Sequence, residues 1–153
     1  MKPTDHHQDT PIRVLGYASW IDKARASQQI GALWGQASQA GLLHPDRPAF
    51  GVYFDYQDRL ADRYRVLVGV ESDATPVDGQ ETITIPAGRY ARLTGEGRAA
   101  EVASTLWREV WTDGALGAQR SFGVDFERYV GGPEDSRVEL MISSSSPAPR
   151  SAP

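Results

Sequence analysis

A chain of 153 residues is long enough to bury one core without disulfides or a structural metal. Cysteine is absent, which excludes a disulfide framework, a thiolate zinc site and a cysteine nucleophile, and fits a reducing, cytoplasmic setting. A formal net charge of -4 and a pI of about 5.3 disfavour nucleic acid as a partner and favour cationic ones.

The first eleven residues, MKPTDHHQDTP, have no apolar periodicity, so residues 1–11 are expected to be a disordered tail. They also lack the apolar segment of a secretory leader, and no apolar run approaches the ~20 residues of a membrane helix. A soluble, cytoplasmic protein with no membrane partner is therefore expected. The run PIRVLGYASWI then predicts a strand. Ser27 to Ala40 predicts a helix with an apolar stripe at Ile30, Leu33, Trp34 and Ala37. GVYFDY and YRVLVGV predict a hairpin, and SDATPVDGQ, residues 72–80, a linker. ITIPAGRYARL predicts a strand interrupted at Pro86 and Gly88, with Pro86 at a strand start, an edge or a bulge. Residues 100–112 predict a second helix, and GVDFERYV and RVELMI a second hairpin. The small, polar, proline-bearing residues 144–153 are expected to be a second disordered tail.

The two halves read alike. Sliding the chain by 72 places Phe50 on Phe122, Gly51 on Gly123, Phe54 on Phe126, Asp55 on Glu127 and Val66 on Val138. One residue more brings Trp34 onto Trp107. The expected fold is α+β: one domain over 12–143, built from βαββ copies at 12–71 and 84–143. Strand parity puts the even-numbered apolar residues, Val52 and Phe54 through Phe126 to Ile142, on one face, taken as the face covered by the helices. The odd set, with Tyr53, Asp55, Asp125, Glu127 and Tyr129, mixes aromatic and acidic residues and is taken as the cleft.

LWGQA after GYASWID, then FGVYFDY, YRVLVGVE, IPAGRYARLTGEG, LWREVW and DFERY resemble the GyrI-like effector-binding domains. These include the ligand-binding halves of AraC-type and MerR-type multidrug regulators and the stand-alone effector-binding proteins of integron cassettes. The resemblance covers Ile12 to Ile142. It implies two βαββ units sharing an antiparallel sheet, with two helices on one face and a ligand cleft between the copies. It also implies lipophilic cationic aromatic ligands and an acid among aromatic side chains, which the DFERY motif matches to Glu127.

A partly desolvated carboxylate loses hydration, and a delocalised organic cation can offset that loss, with aromatic walls adding cation–π attraction. Tyr53, Tyr90, Tyr129 and Trp111 are the candidate walls, and Asp55 the candidate counterpart of Glu127. The bland alternative for Glu127 is a solvated strand acid paired with Arg128 or Arg137. Asp125 can instead face a turn or accept from a backbone amide. Trp34 and Trp107, on helical stripes, read as core.

Two functions remain open. One is a binding protein for lipophilic cations, acting as a sensor with a separate regulatory protein or by sequestration. The other is a hydrolase of electrophilic compounds that uses Glu127 as base and Tyr129 or Tyr53 as acid. No cofactor and no metal site are expected: His6 and His7 lie in the N-terminal tail without a third ligand, and no phosphate-loop pattern is present.

Overall fold

The structure, a computed structural model, describes residues 3–59 and 61–145. The expected C-terminal tail beyond Ser145 lies outside the described residues.

Strands β1 (Thr4–Gln8) and β2 (Ile12–Asp22) lead through a 3-10 turn into helix α1 (Ala26–Gln39), followed by β3 (Ala49–Phe54) and β4 (Arg63–Glu71). Strands β5 (Glu81–Ile85) and β6 (Gly88–Gly97) lead into α2 (Ala99–Thr112), the short α3 (Gly114–Gln119), β7 (Asp125–Gly132) and β8 (Asp135–Ser143). Helix α1 ends where Gly41 takes φ 76°: its N–H donates to Ser38 and that of Leu42 to Ala37, which satisfies the last carbonyls. Helix α3 restarts after a single extended residue, Asp113, whose carboxylate caps it by accepting from the Leu116 N–H at 3.0 Å. No helix among the described residues is long and apolar enough to cross a membrane.

All strands join one antiparallel sheet in the order β1-β6-β8-β7-β3-β4-β2-β5. The expected βαββ units are therefore present, β2-α1-β3-β4 and β6-α2-β7-β8, and they meet where β3 pairs with β7. Each unit is preceded by a short strand that pairs with the other unit, β1 with β6 and β5 with β2. This corrects the expectation of a disordered N-terminus, because Thr4–Gln8 is a strand. Its contribution is backbone hydrogen bonds to an otherwise open sheet edge, which polar side chains do not prevent. Pro86 lies between β5 and β6, outside the ladder, and its carbonyl accepts from the Tyr90 hydroxyl at 2.7 Å.

Both helices lie on one face, over a core that includes Leu33, Val66, Val68, Leu106, Val138 and Leu140. The other face, with Val14, Phe50, Val52, Phe54, Leu67 and Phe126, carries no helix among the described residues, yet none of these side chains is more than 6 % exposed. The sheet encloses that face by curling: Tyr90 stands edge-on to Phe126 two strands away, with ring centroids 5.4 Å apart. Sharp coiling needs close backbone approach, and Gly16 faces Gly69 across β2 and β4. A Cβ on either would run into a carbonyl of the opposite strand.

Register overturns the parity reading. Tyr53 lies opposite Val66 and Glu127 opposite Leu140, and residues directly opposite share a face. The odd residues of β3 and β7 therefore stand with the even residues of β4 and β8, beneath the helices. Val52, Phe54 and Phe126 go to the curled face instead. Face parity is set by each turn's length and so cannot be carried across a hairpin by counting.

The repeat alignment also shifts. Phe122 and Gly123 lie in the loop before β7, so they do not correspond to Phe50 and Gly51 of β3. Matching strand starts, Ala49 with Asp125, places Phe50 on Phe126, Tyr53 on Tyr129 and Gly51 on Glu127. The counterpart of Glu127 is thus a glycine, and Asp55 falls beyond the end of β3.

Candidate ligand-binding site

Gly51 and Glu127 are opposite each other in the β3–β7 ladder at the junction of the two units. A Cβ on Gly51 would lie 2.6 Å from Glu127 Oε1, so the glycine provides the space into which the carboxylate leans. Glu127 is 2 % exposed. The hydroxyl of Tyr53 donates to its Oε2 at 3.1 Å, the indole N–H of Trp107 donates to Oε2 at 2.7 Å, and the hydroxyl of Tyr129 donates to Oε1 at 2.9 Å. The two tyrosines are the pair matched by the repeat. Tryptophans from the opposite units cover them crosswise: Trp34 lies edge-on to Tyr129 at 4.9 Å, and Trp107 lies against Tyr53 at 4.8 Å.

Burial pushes the Glu127 carboxyl above the usual carboxylate range, and the bonds from Trp107, Tyr129 and Tyr53 pull it partly back. Burial and the neighbouring acid also raise the Tyr53 and Tyr129 hydroxyls well above their ordinary value, so both remain protonated donors. Tyr64 is raised for the same two reasons. No Lys or Arg among the described residues forms an ion pair with Glu127. Arg128, the partner expected if Glu127 were a solvated strand acid, pairs with Glu139 instead.

A cavity of about 900 Å³ opens between α1 and α2 above this carboxylate, a size suited to a drug-like molecule. Trp34, Tyr53, Tyr64, Trp107 and Tyr129 are among its walls, with Glu127 at the buried end. Two residues earlier on β7 a second acid, Asp125, is fully buried. It accepts from Arg120 Nη2 at 2.9 Å, from the Tyr56 hydroxyl at 2.7 Å, and from the Ser143 N–H at 2.7 Å and hydroxyl at 3.0 Å. Its acceptor sites are met within the protein, including the backbone amide allowed for in the sequence.

Of the candidate residues, Glu127, Tyr53 and Tyr129 converge on one point, and Trp111 lies at the cavity wall, 69 % exposed, stacked on Trp107 at 6.1 Å. Tyr90 is on the curled face and does not line the cavity, because β6 turns its even residues away from the helices. Asp55 is exposed, has φ 53°, and sits 3.7 Å from Arg65. Trp107 and Trp34, read as core, are cavity walls as well, and Trp107 is the shortest donor to Glu127. Tyr56, Tyr64, Arg120 and Phe122 were not foreseen. Helical stripe position could have drawn attention to the tryptophans, but the partners of Asp125 come together only from two separate loops and the end of β8.

The family model of the integron-associated effector binding protein, Cass2, matches residues 8–143. Among solved structures, the chain is similar to the integron cassette protein VCH_CASS2 from the mobile metagenome of Vibrio cholerae. That match has TM-score 0.81 and 21% identity, and covers 95% of this chain and 97% of that one. It is also similar to SAV2435, whose structure holds tetraphenylphosphonium, with TM-score 0.73, 16% identity and 95% of each chain covered. At these identities the likeness shows the fold. No curated protein sequence matches the chain. The family match spans nearly the whole folded body, and the chain belongs to the integron-associated effector-binding family.

Proposed function

We propose that this member of the integron-associated effector-binding family binds lipophilic, cationic aromatic compounds in the cavity above Glu127, with Tyr53, Tyr129, Trp107, Trp34 and Trp111 as its walls. The observation that carries the reading is a buried carboxylate that receives three hydrogen bonds from neutral donors and no charge from the protein. Such a group is unfavourable when empty, and a desolvated organic cation supplies both the missing charge and a surface for the rings to cover. The tetraphenylphosphonium held by the similar SAV2435 belongs to this ligand class. Binding would either signal to a separate regulatory protein or withdraw the compound from solution, in the cytoplasm. Hydrolysis is not favoured, because Tyr53 and Tyr129, the acids it would need, both direct their hydroxyl protons at Glu127 itself.

Calorimetric titration with tetraphenylphosphonium and with neutral triphenylphosphine oxide tests the proposal. Glu127→Gln, which keeps the shape and removes the charge, is expected to weaken phosphonium binding by about 1–3 kcal/mol and to leave the neutral compound nearly unchanged. Equal phosphonium affinity in a folded Glu127→Gln protein overturns it.

A further inference from the structure

The cavity wall also carries the opposite charge. Arg120 and Arg59 both reach its lining, and both guanidinium groups lie over the ring of Phe122, at 4.1 and 4.6 Å from its centroid. Their electrostatic situations differ. Arg120 is 6 % exposed and its charge is matched by Asp125. Arg59 is exposed, donates only a long bond of 3.4 Å to the Arg120 carbonyl, and pairs with no carboxylate among the described residues. Of the two acids on the cavity wall, Glu127 is at the buried end and Asp113 is engaged in capping α3. Phe122, the platform for both guanidinium groups, is held at φ 55°, a backbone conformation unfavourable for a bulky side chain. The Phe122 ring thus brings together guanidinium groups from two separate loops, the one between β3 and β4 and the one before β7.

We propose that the cavity prefers a bipolar ligand, an aromatic cation at Glu127 that also carries a carboxylate or similar anion at Arg59. The proposal rests on the cation reading of Glu127 and adds the second group. A simple cation filling the cavity brings its charge toward an uncompensated guanidinium. An anionic substituent turns that repulsion into a charge-assisted, two-pronged hydrogen bond. Arg59 then acts as a specificity residue that separates zwitterionic from singly cationic members of one aromatic class.

Rhodamine 110, a xanthylium cation with a free carboxylate, and rhodamine 123, its methyl ester, form a matched pair for fluorescence polarisation at fixed salt. The acid is expected to bind about fivefold more tightly than the ester, the size of one partly exposed charge pair. Arg59→Gln, in an exposed loop position, should erase that preference by weakening the acid and relieving the repulsion felt by the ester, while Glu127→Gln should weaken both dyes. A preference for the ester, no preference, or an acid preference that survives Arg59→Gln overturns the inference. In those cases an ester still weakened by Glu127→Gln leaves the cation reading standing. If neither dye binds, both readings fall.

Discussion

Asp125 and Glu127 stand two residues apart on one strand, on the same face, and both are out of contact with water. One has been given a counter-charge and the other has not. Around Asp125 the chain supplies a guanidinium, a phenol, a serine hydroxyl and a backbone amide, which is how a protein makes a buried charge part of its structure. Around Glu127 it supplies only neutral donors, and opens a cavity beside the carboxylate. A charge closed by the fold holds the fold together. A charge left open is available to something from outside.

The largest effect should come from opening the closed site. Asp125→Ala leaves Arg120 buried without its partner and is expected to cost about 3–5 kcal/mol of stability in urea unfolding. In the same assay Glu127→Gln should cost less than about 1 kcal/mol, because it relieves an unpaired buried charge. Equal losses would erase the distinction between the two acids.

Next comes the space that the repeat leaves for Glu127. Gly51→Ala places a methyl 2.6 Å from Glu127 Oε1 and should destabilise the protein by about 1–3 kcal/mol and weaken phosphonium binding, as crowding a packed site does. Binding at full strength in the alanine variant would show that the carboxylate is not held where Gly51 allows it.

A smaller effect is expected with pH. Glu127 holds its proton to higher pH in the folded chain than its ordinary value of 4.5, so the native state binds more protons than the unfolded state in between. Its contribution to stability is therefore present below 4.5 and lost as pH rises through the raised value. The facing groups from β3, β4 and β7 are Tyr53, Tyr64 and Tyr129, all shifted upward and so neutral across that window. A bound cation favours the ionised acid. Phosphonium affinity should rise with pH through the same window and then level off, with proton release seen by titration in two buffers of different ionisation heat. A pH-independent affinity that Glu127→Gln leaves unaltered would contradict this.

The smallest effect belongs to Asp55→Asn. This acid is exposed, 3.7 Å from Arg65 and outside the cavity wall, so stability should change by less than about 0.5 kcal/mol and ligand affinity not at all. A loss comparable to that in Glu127→Gln would restore Asp55 as a partner acid.

Periods and element order were legible along the chain. The apolar stripes of the two helices, the two hairpins and the duplication depend on neighbours a few residues apart, and Glu127 between aromatic residues was visible in DFERY. Which face each strand presents was decided only by tertiary structure, because register depends on turn geometry and a slip of one residue inverts every side chain. The same reason explains why Gly51, rather than Asp55, is the counterpart of Glu127. It also explains why Tyr90 belongs to the curled face, whereas the polar residues before Asp9 form an edge strand because their backbone completes the ladder of β6, which no side-chain pattern reveals. The difference between the two acids was likewise not legible. Nothing local distinguishes Asp125 from Glu127 until α2, α3 and the β3–β4 loop converge, bringing Arg120 and Tyr56 to one carboxylate and only tryptophan and tyrosine donors to the other.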